Sequence, residues 1–89
     1  MTITQFHYVL GVAEHQNFTK AARYCHVTQP TLSMQVQKLE DELNVQIFDR
    51  GKKPIELTAV GAKIVAQAKN IIAEAERIND IVDQEKGFI

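Results

Sequence analysis

Apolar residues recur at helical spacing in two short stretches near the start of the chain. Phe6, Val9, Leu10 and Ala13 share one face, which predicts a first helix from Thr4, as its N-cap, to about His15. Asn17 or Thr19 is a suitable N-cap for a short second helix. That helix holds Ala21, Ala22 and Cys25, whose small side chains permit close packing against a crossing helix. We therefore expect Cys25 to be a buried structural thiol.

A third amphipathic helix follows a turn at Val27-Thr28. Thr28 is its expected N-cap, Pro30 stands in the first turn where its missing N–H costs nothing, and Asn44 can end the helix in the left-handed conformation. The apolar face is formed by Leu32, Val36, Leu39 and Leu43, at steps of four, three and four residues. His26 occupies the turn where Gly is often found, and His tolerates a positive φ better than most residues. Together the second and third helices have the pattern of a helix-turn-helix.

The chain then changes from helical spacing to short apolar runs. Val45–Phe48 and Ile55–Leu57 predict two strands, and the intervening Arg50–Pro54 has the composition of a turn. This segment is expected to form a small two-stranded hairpin, or wing.

A long last helix begins at Thr58 and can reach Glu85 or Lys86, a length of about 40 Å. A domain of the preceding 57 residues is too small to cover it. Its apolar residues step by 4-3-4-3-4 positions, which is a heptad seam that predicts pairing of two copies: Ile64, Ala68, Ile71, Ala75, Ile78 and Val82. We therefore expect a mainly α fold, with a winged helix-turn-helix domain over residues 1–57 and a linker or dimerisation helix over residues 58–89.

The outer face of the third helix is the first candidate binding surface. With the apolar face turned inward, Pro30, Met34, Gln37 and Asp41 point outward, flanked by Thr31, Ser33 and Lys38. Gln29 can form two hydrogen bonds with an adenine edge, while Pro30 and Met34 can touch a thymine methyl group. An ordinary helix with a solvated polar face explains this pattern equally well when the helix is considered alone.

The hairpin turn is the second candidate surface. Arg50, Lys52 and Lys53 place three positive charges within four residues, where they can contact phosphates or enter a minor groove. A short basic loop by itself is more often merely solvated. The order of helix-turn-helix, basic hairpin and heptad helix is what favours DNA binding.

Composition adds one objection and several exclusions. The net charge is −1 and the isoelectric point about 6.3, whereas a DNA-binding domain usually has a basic surplus. The single cysteine provides no disulfide framework, and no Cys or carboxylate spacing joins His7, His15 and His26 into a metal site. There is no signal peptide, membrane-length apolar run or Gly-rich phosphate loop. We expect no metal, no cofactor, no catalytic residues, no membrane partner and no enzymatic activity.

Several motifs resemble one known family. They are Ala21-Ala22, Gln29-Pro30-Thr31-Leu32-Ser33, Leu39-Glu40, Leu43, Phe48, Arg50 and Leu57-Thr58-Ala59-Val60-Gly61. This pattern resembles the N-terminal domain of the LysR-type transcriptional regulators over nearly the whole chain and without gaps. The segments from Cys25 to Ser33 and from Lys38 to Leu43 are most similar to the peroxide-sensing branch.

The resemblance implies specific roles. Gln29, Pro30, Thr31, Ser33 and position 34 would contact bases or the groove, Arg50, Lys52 and Lys53 would be wing contacts, and residues from Thr58 onward would form the dimerising helix. Many members have Arg at position 34, so the Met34 of this chain loses a bidentate guanine contact. A C-terminal effector domain beyond residue 89 is also implied.

We therefore expect a cytoplasmic homodimer that binds an interrupted inverted repeat in double-stranded DNA, as part of a transcription regulator of a peroxide response. A tetramer is left open for the full-length protein. The expected DNA contacts are Thr28, Gln29, Pro30, Thr31, Ser33, Met34, Gln37, Lys38, Arg50, Lys52 and Lys53. The alternative is a winged-helix dimerisation or protein-interaction module that never contacts DNA, which the near-neutral charge favours and the basic wing argues against.

Overall fold

The structure, a computed structural model, describes residues 1–87. Its elements in chain order are α1 (Ile3–His15), α2 (Phe18–Tyr24), α3 (Gln29–Leu43), β1 (Phe48–Asp49), β2 (Glu56–Leu57) and α4 (Ala59–Glu85). The two strands pair antiparallel, with Phe48 opposite Leu57 and Asp49 opposite Glu56. The predicted mainly α fold with a two-stranded wing is confirmed, while residues 88–89 of the predicted linker segment lie outside the described residues.

Local capping chemistry sets where the helices begin. The hydroxyl groups of Thr28 and Thr58 accept hydrogen bonds from the third residue of α3 and α4, respectively, and Asn17 does the same for α2. The prediction that Thr4 caps α1 is wrong. Thr2 caps this helix in a reciprocal capping box with Gln5, because only a residue before the first turn can accept from the free N–H groups there.

Three residues adopt the left-handed backbone conformation, two of them at the ends of helices and one in a turn. Gln16 ends α1 at φ 52°, and Asn44 ends α3 at φ 54°, as predicted for Asn44. His26, between α2 and α3, has φ 59°, so the turn takes the positive φ that Gly usually supplies. His is thus tolerated where the sequence pattern usually has Gly.

The core lies where the first three helices meet the wing and the first half of α4. Its fully buried apolar members are Val9, Val12, Ala21, Leu32, Val36, Leu39 and Ile47, with Phe6, Ala22, Phe48, Val65, Ala68 and Ile72 nearly so. Ala21 and Ala22 let α2 pack closely against α1, as their small size predicts. A side chain on Gly11 would come within 3.2 Å of the Cys25 sulfur, so this contact is already tight.

The strands are shorter than the sequence predicts. Val45–Phe48 was expected to form the first strand, but only Phe48 and Asp49 pair with the second strand. The backbone N–H of Ile47 donates to the carboxylate of Glu40 instead, and its carbonyl accepts from Thr58. Since both backbone groups of Ile47 have partners outside the hairpin, the ladder cannot extend through it.

Gly61 is where α4 passes closest to the wing. A Cβ at this position would overlap the carbonyl oxygen of Ile47. Any side chain larger than hydrogen must therefore push α4 away from the segment that leads into β1.

We predict that Gly61→Ala destabilises the fold by at least about 2 kcal/mol, because the clash is with backbone that cannot rotate away. Urea unfolding followed by circular dichroism measures the change. Gly51→Ala is the matched control. Gly51 is exposed, and a Cβ added there would meet only a carboxylate oxygen of Asp49, at 3.3 Å. Equal stability of the two variants would show that α4 can shift at no cost.

Candidate nucleic-acid interface

α3 has one face in the core and one face open. Leu32, Val36 and Leu39 are each fully buried, as the spacing predicts. Most of the residues predicted to contact DNA are exposed on the remaining surface of the helix: Gln29, Pro30, Thr31, Met34, Gln37 and Lys38. Ser33 is half-buried, and the N-cap Thr28 is exposed. The geometry brings these residues onto one surface, and their contact with DNA stays a prediction.

Hydrogen bonds order the first turns of α3. The Gln29 amide nitrogen donates to the Ser33 hydroxyl at 2.8 Å, and the Thr28 hydroxyl donates to that of Thr31 at 2.9 Å. A glutamine amide has two N–H groups and a carbonyl oxygen. One N–H and the oxygen therefore remain, which is the donor–acceptor pair that an adenine edge requires. Ser33 holds the Gln29 side chain in place without using up that pair.

Met34 adds an apolar patch to this polar surface. Its side chain is 49% exposed, which is unusual for a methionine with a buried core alongside. Pro30 lies one turn earlier and is also exposed. Two apolar groups one turn apart suit contact with a thymine methyl group better than contact with a charged phosphate.

Gln37 is the polar residue one turn further along α3. Its amide donates to the Asp41 carboxylate at 2.9 Å, so it is already partly engaged within the helix. Gln37 therefore keeps one N–H and its carbonyl oxygen free, as Gln29 does.

The tip of the wing carries two exposed lysines. Lys52 and Lys53 belong to none of the ion pairs found within residues 1–87. The tip is a tight turn, in which the N–H of Gly51 donates to the Asp49 carboxylate at 3.0 Å. Lys52 and Lys53 also border a cleft whose other wall is Asn17, Phe18 and Thr19, at the beginning of α2.

Arg50, the third predicted wing contact, is engaged differently. Its two terminal nitrogens donate to the two carboxylate oxygens of Glu40, at 2.8 and 3.3 Å. The Glu40 side chain is completely buried, and the Arg50 side chain is 37% exposed. The guanidinium also lies 5.1 Å from the centre of the Phe18 ring. Its role as a DNA contact stays a prediction.

Glu40 is the residue that sequence reasoning missed. It stands in an acidic run with Asp41 and Glu42, both of which are exposed. One signal was available: Glu40 comes four residues after Val36 and one after Leu39, which places it at the edge of the buried face. An acid at such a position needs internal partners, and the sequence does not indicate which residues supply them.

The predicted seam on α4 divides into two parts. Ala68 is 1% exposed within a single copy, and its role in the pairing of two copies stays a prediction. α1 packs against α4 within the same chain, and Ala68 belongs to the shared core. Ile64 and Ile71 border an apolar groove completed by Met1, Phe6 and Leu43 of the same chain. Ala75 is half-buried.

The far part of α4 leaves its apolar side chains exposed. Ile78 is 62% exposed and Val82 42%, and Ile81, which the heptad pattern did not include, is 57% exposed. Exposed apolar side chains this close together on one helix form a candidate contact surface.

Cys25 is half-buried rather than fully buried as expected. Its sulfur packs towards Gly11, and burial raises the pKa of the Cys25 thiol.

Within residues 1–87 no three His, Cys, Asp or Glu side chains are arranged to hold a metal ion. None of the helices described over these residues is both long and apolar enough to cross a membrane.

Comparison with known proteins gives consistent matches. A family model described as bacterial regulatory helix-turn-helix protein, lysR family, matches residues 3–62. A hydrogen peroxide-inducible genes activator from Pectobacterium carotovorum is 39% identical over 85 residues, which are 96% of this chain. The chain spans 28% of the length of that relative.

Solved structures match over nearly the whole chain. A full-length OxyR variant from Pseudomonas aeruginosa is 47% identical, with a TM-score of 0.92 over 98% of this chain and 30% of its own. A CbnR_DBD–DNA complex is 36% identical, with a TM-score of 0.89 over 98% of this chain and 100% of its own.

We predict that Cys25 reacts slowly with iodoacetamide at pH 7.5. The thiolate is the reactive form, so the raised pKa lowers its fraction at this pH, and packing limits access. Mass spectrometry should show alkylation several-fold slower than in the same chain unfolded in urea, with the rate rising towards higher pH. A folded chain that reacts as fast as the unfolded one would show that the thiol is open and unperturbed.

Proposed function

The chain belongs to the LysR family of bacterial regulatory helix-turn-helix proteins, and we propose that it binds double-stranded DNA as a homodimer. In this proposal residues 1–57 form the DNA-binding domain, and residues 58–89 form the linker through which two copies pair. α3 enters the major groove, and the wing lies along the phosphate backbone. The protein acts in the bacterial cytoplasm as a transcription regulator and not as an enzyme.

The single observation that carries this proposal is the ordered polar opening of α3. Gln29 is exposed, fixed by Ser33 at 2.8 Å, and retains the donor and acceptor that an adenine edge needs. Protein-interaction surfaces are more often centred on aromatic and aliphatic anchors. The free groups on α3 are instead mainly amide and hydroxyl groups, with Pro30 and Met34 as small apolar contacts.

Charge placement answers the objection raised by the net charge of −1. Five carboxylates lie on the second half of α4, at Glu74, Glu76, Asp80, Asp83 and Glu85. They account for nearly half of the eleven acidic residues, and in this proposal the far half of the long α4 carries them away from α3 and the wing tip. The basic groups at the wing can therefore attract phosphates although the chain as a whole is slightly acidic.

Pairing through α4 sets the form of the DNA site. A two-fold dimer presents two copies of α3, which would enter major grooves about 34 Å apart or a multiple of that distance. The proposed target is therefore an interrupted inverted repeat.

The peroxide response is the proposed signal, because the relatives include hydrogen peroxide-inducible genes activators. Cys25 is a poor sensor, since burial raises its pKa and residues 1–89 contain no second cysteine to resolve a sulfenate. Peroxide sensing is thus assigned to parts of the protein other than Cys25.

We predict that Gln29→Ala and Lys53→Ala weaken DNA binding in different ways. A site is first selected from a library of random 40-base-pair duplexes, about four helical turns long. Gln29→Ala should cost about 1–3 kcal/mol on the selected site and little on random DNA. Lys53→Ala should weaken binding to both. It should also reduce the salt slope, which is the slope of the logarithm of the binding constant against the logarithm of the salt concentration, by about one unit.

Binding isotherms at several salt concentrations measure both effects. Gln84→Ala and Lys86→Ala are matched controls, because both residues are exposed at the C-terminal end of α4, opposite the end that meets the wing. If no duplex is enriched over the library and none binds in a salt-dependent manner, the chain is a dimerisation or protein-interaction module instead.

We predict that Ile78→Glu converts the dimer into a monomer at micromolar concentration. Ile78 is 62% exposed in one copy, so the substitution spares the fold and places a charge only in the contact between copies. Ile71 is less suitable, because it also lines the groove of its own chain. Affinity for the inverted repeat should fall towards that for a half-site.

Analytical ultracentrifugation gives the mass and circular dichroism the helix content of this variant. Asn79→Glu is the matched control, since it adds the same charge at an exposed polar position next along α4. A dimer that persists in Ile78→Glu would show that another surface pairs the two copies.

A further inference from the structure

The Glu40 carboxylate joins three segments of the chain. It lies one turn before the end of α3 and accepts hydrogen bonds from the backbone N–H groups of Ile47, at 2.7 Å, and Phe48, at 3.3 Å. Both terminal nitrogens of Arg50 complete its shell. Because the side chain is wholly buried, every one of these donors replaces water that the carboxylate has lost. Removing any donor is therefore costly.

Arg50 extends this connection to α2. Its guanidinium lies over the Phe18 ring, and Phe18 in turn meets the Phe48 ring edge-on at 5.9 Å between centroids. One terminal nitrogen also donates to the Gln46 side chain at 3.2 Å. The start of the wing is thus held from α3 through Glu40 and from α2 through Phe18.

This arrangement leaves Arg50 poorly suited to bind a phosphate. Three of its five N–H groups are already used, two on Glu40 and one on Gln46, and its charge is balanced by a carboxylate 2.8 Å away. A phosphate would have to compete with a buried acid for the same guanidinium. Lys52 and Lys53 have no such partner in the described residues 1–87.

We infer that Arg50 and Glu40 are positioning residues for the wing: they hold Lys52 and Lys53 in place relative to α3, and Arg50 makes no phosphate contact itself. The tip follows Arg50 directly and is braced by the Gly51 and Lys52 N–H groups on Asp49. Fixing Arg50 therefore fixes the lysines two and three residues later. This inference rests on the proposed DNA binding.

The effect of Glu40→Gln on DNA affinity distinguishes a phosphate contact by Arg50 from a positioning role, because the two roles predict changes in opposite directions. If Arg50 contacts phosphate, releasing it from Glu40 and removing a negative charge should tighten DNA binding. If the pair positions the wing, the same change should weaken binding about three- to tenfold, the loss of one or two phosphate contacts. A mixed-sequence 40-base-pair duplex is the probe, since wing contacts need no particular sequence.

The combination with Lys53→Ala distinguishes positioning from a merely structural role. In the unaltered chain Lys53→Ala should lower the salt slope by about one unit. In the Glu40→Gln background the lysine no longer reaches its phosphate, so its removal should change the slope by less than about half a unit. Additive slope losses, or a Glu40→Gln variant that binds as tightly as the parent or tighter, overturn the inference. Should Glu40→Gln not fold, Arg50→Gln enters the same comparison.

The unaltered chain supplies a measurement that no folding defect can affect. On adding the duplex, the NMR signals of the Arg50 guanidinium should stay in place while those of the Lys53 ammonium shift. A shift of the Arg50 signals as large as that of Lys53 would overturn the inference. If the parent chain fails to bind any duplex, the proposed function fails instead, and the Glu40 shell can still be tested by slow amide exchange at Ile47 and Phe48.

Discussion

A buried carboxylate on α3 is the constraint on which the rest of the structure depends. Water cannot reach the Glu40 carboxylate, so its hydrogen bonds must come from the protein. The backbone N–H groups of Ile47 and Phe48 and the Arg50 guanidinium provide them. The same segment gives its carbonyl groups to α4: the Thr58 hydroxyl donates to Gln46, and its N–H donates to Ile47. The three residues 46–48 therefore connect α3, the wing and α4.

The buried face and the second half of α3 stabilise the fold, while the exposed side chains of its first turns are free for binding. Its buried leucines and valine hold it in the core, and its second half carries the Glu40 anchor. Its first turns are left with side chains that are ordered by Thr28 and Ser33 yet unsatisfied by the interior. Such a surface is pre-organised, because little side-chain freedom remains to be lost when a ligand binds. Met34 adds an exposed apolar group to this surface.

α4 has two parts that differ in burial, although one apolar repeat runs through both. Near its beginning it belongs to the domain, with Gly61 against Ile47 and Ala68 under α1. Beyond Ala75 it extends away from the domain, consistent with a molecule 52 Å long and 25 Å wide. Its exposed isoleucines, Ile78 and Ile81, and most of its carboxylates are on this extended part.

The sequence by itself determined what depends on neighbours within a few residues. Thr28, Thr58, Asn44 and the apolar spacing gave the bounds of α3 and α4, because capping and amphipathicity act within one or two turns. Only the tertiary structure decided what depends on distant partners. Glu40, which accepts from the Ile47 N–H and pairs with Arg50, lies 7 residues before the first and 10 before the second. Ala68 is buried in a core shared with residues of α1, α2 and α3. Local patterns do not encode which of several buried or charged groups will meet, since that is settled by how the helices pack around a carboxylate that water cannot reach.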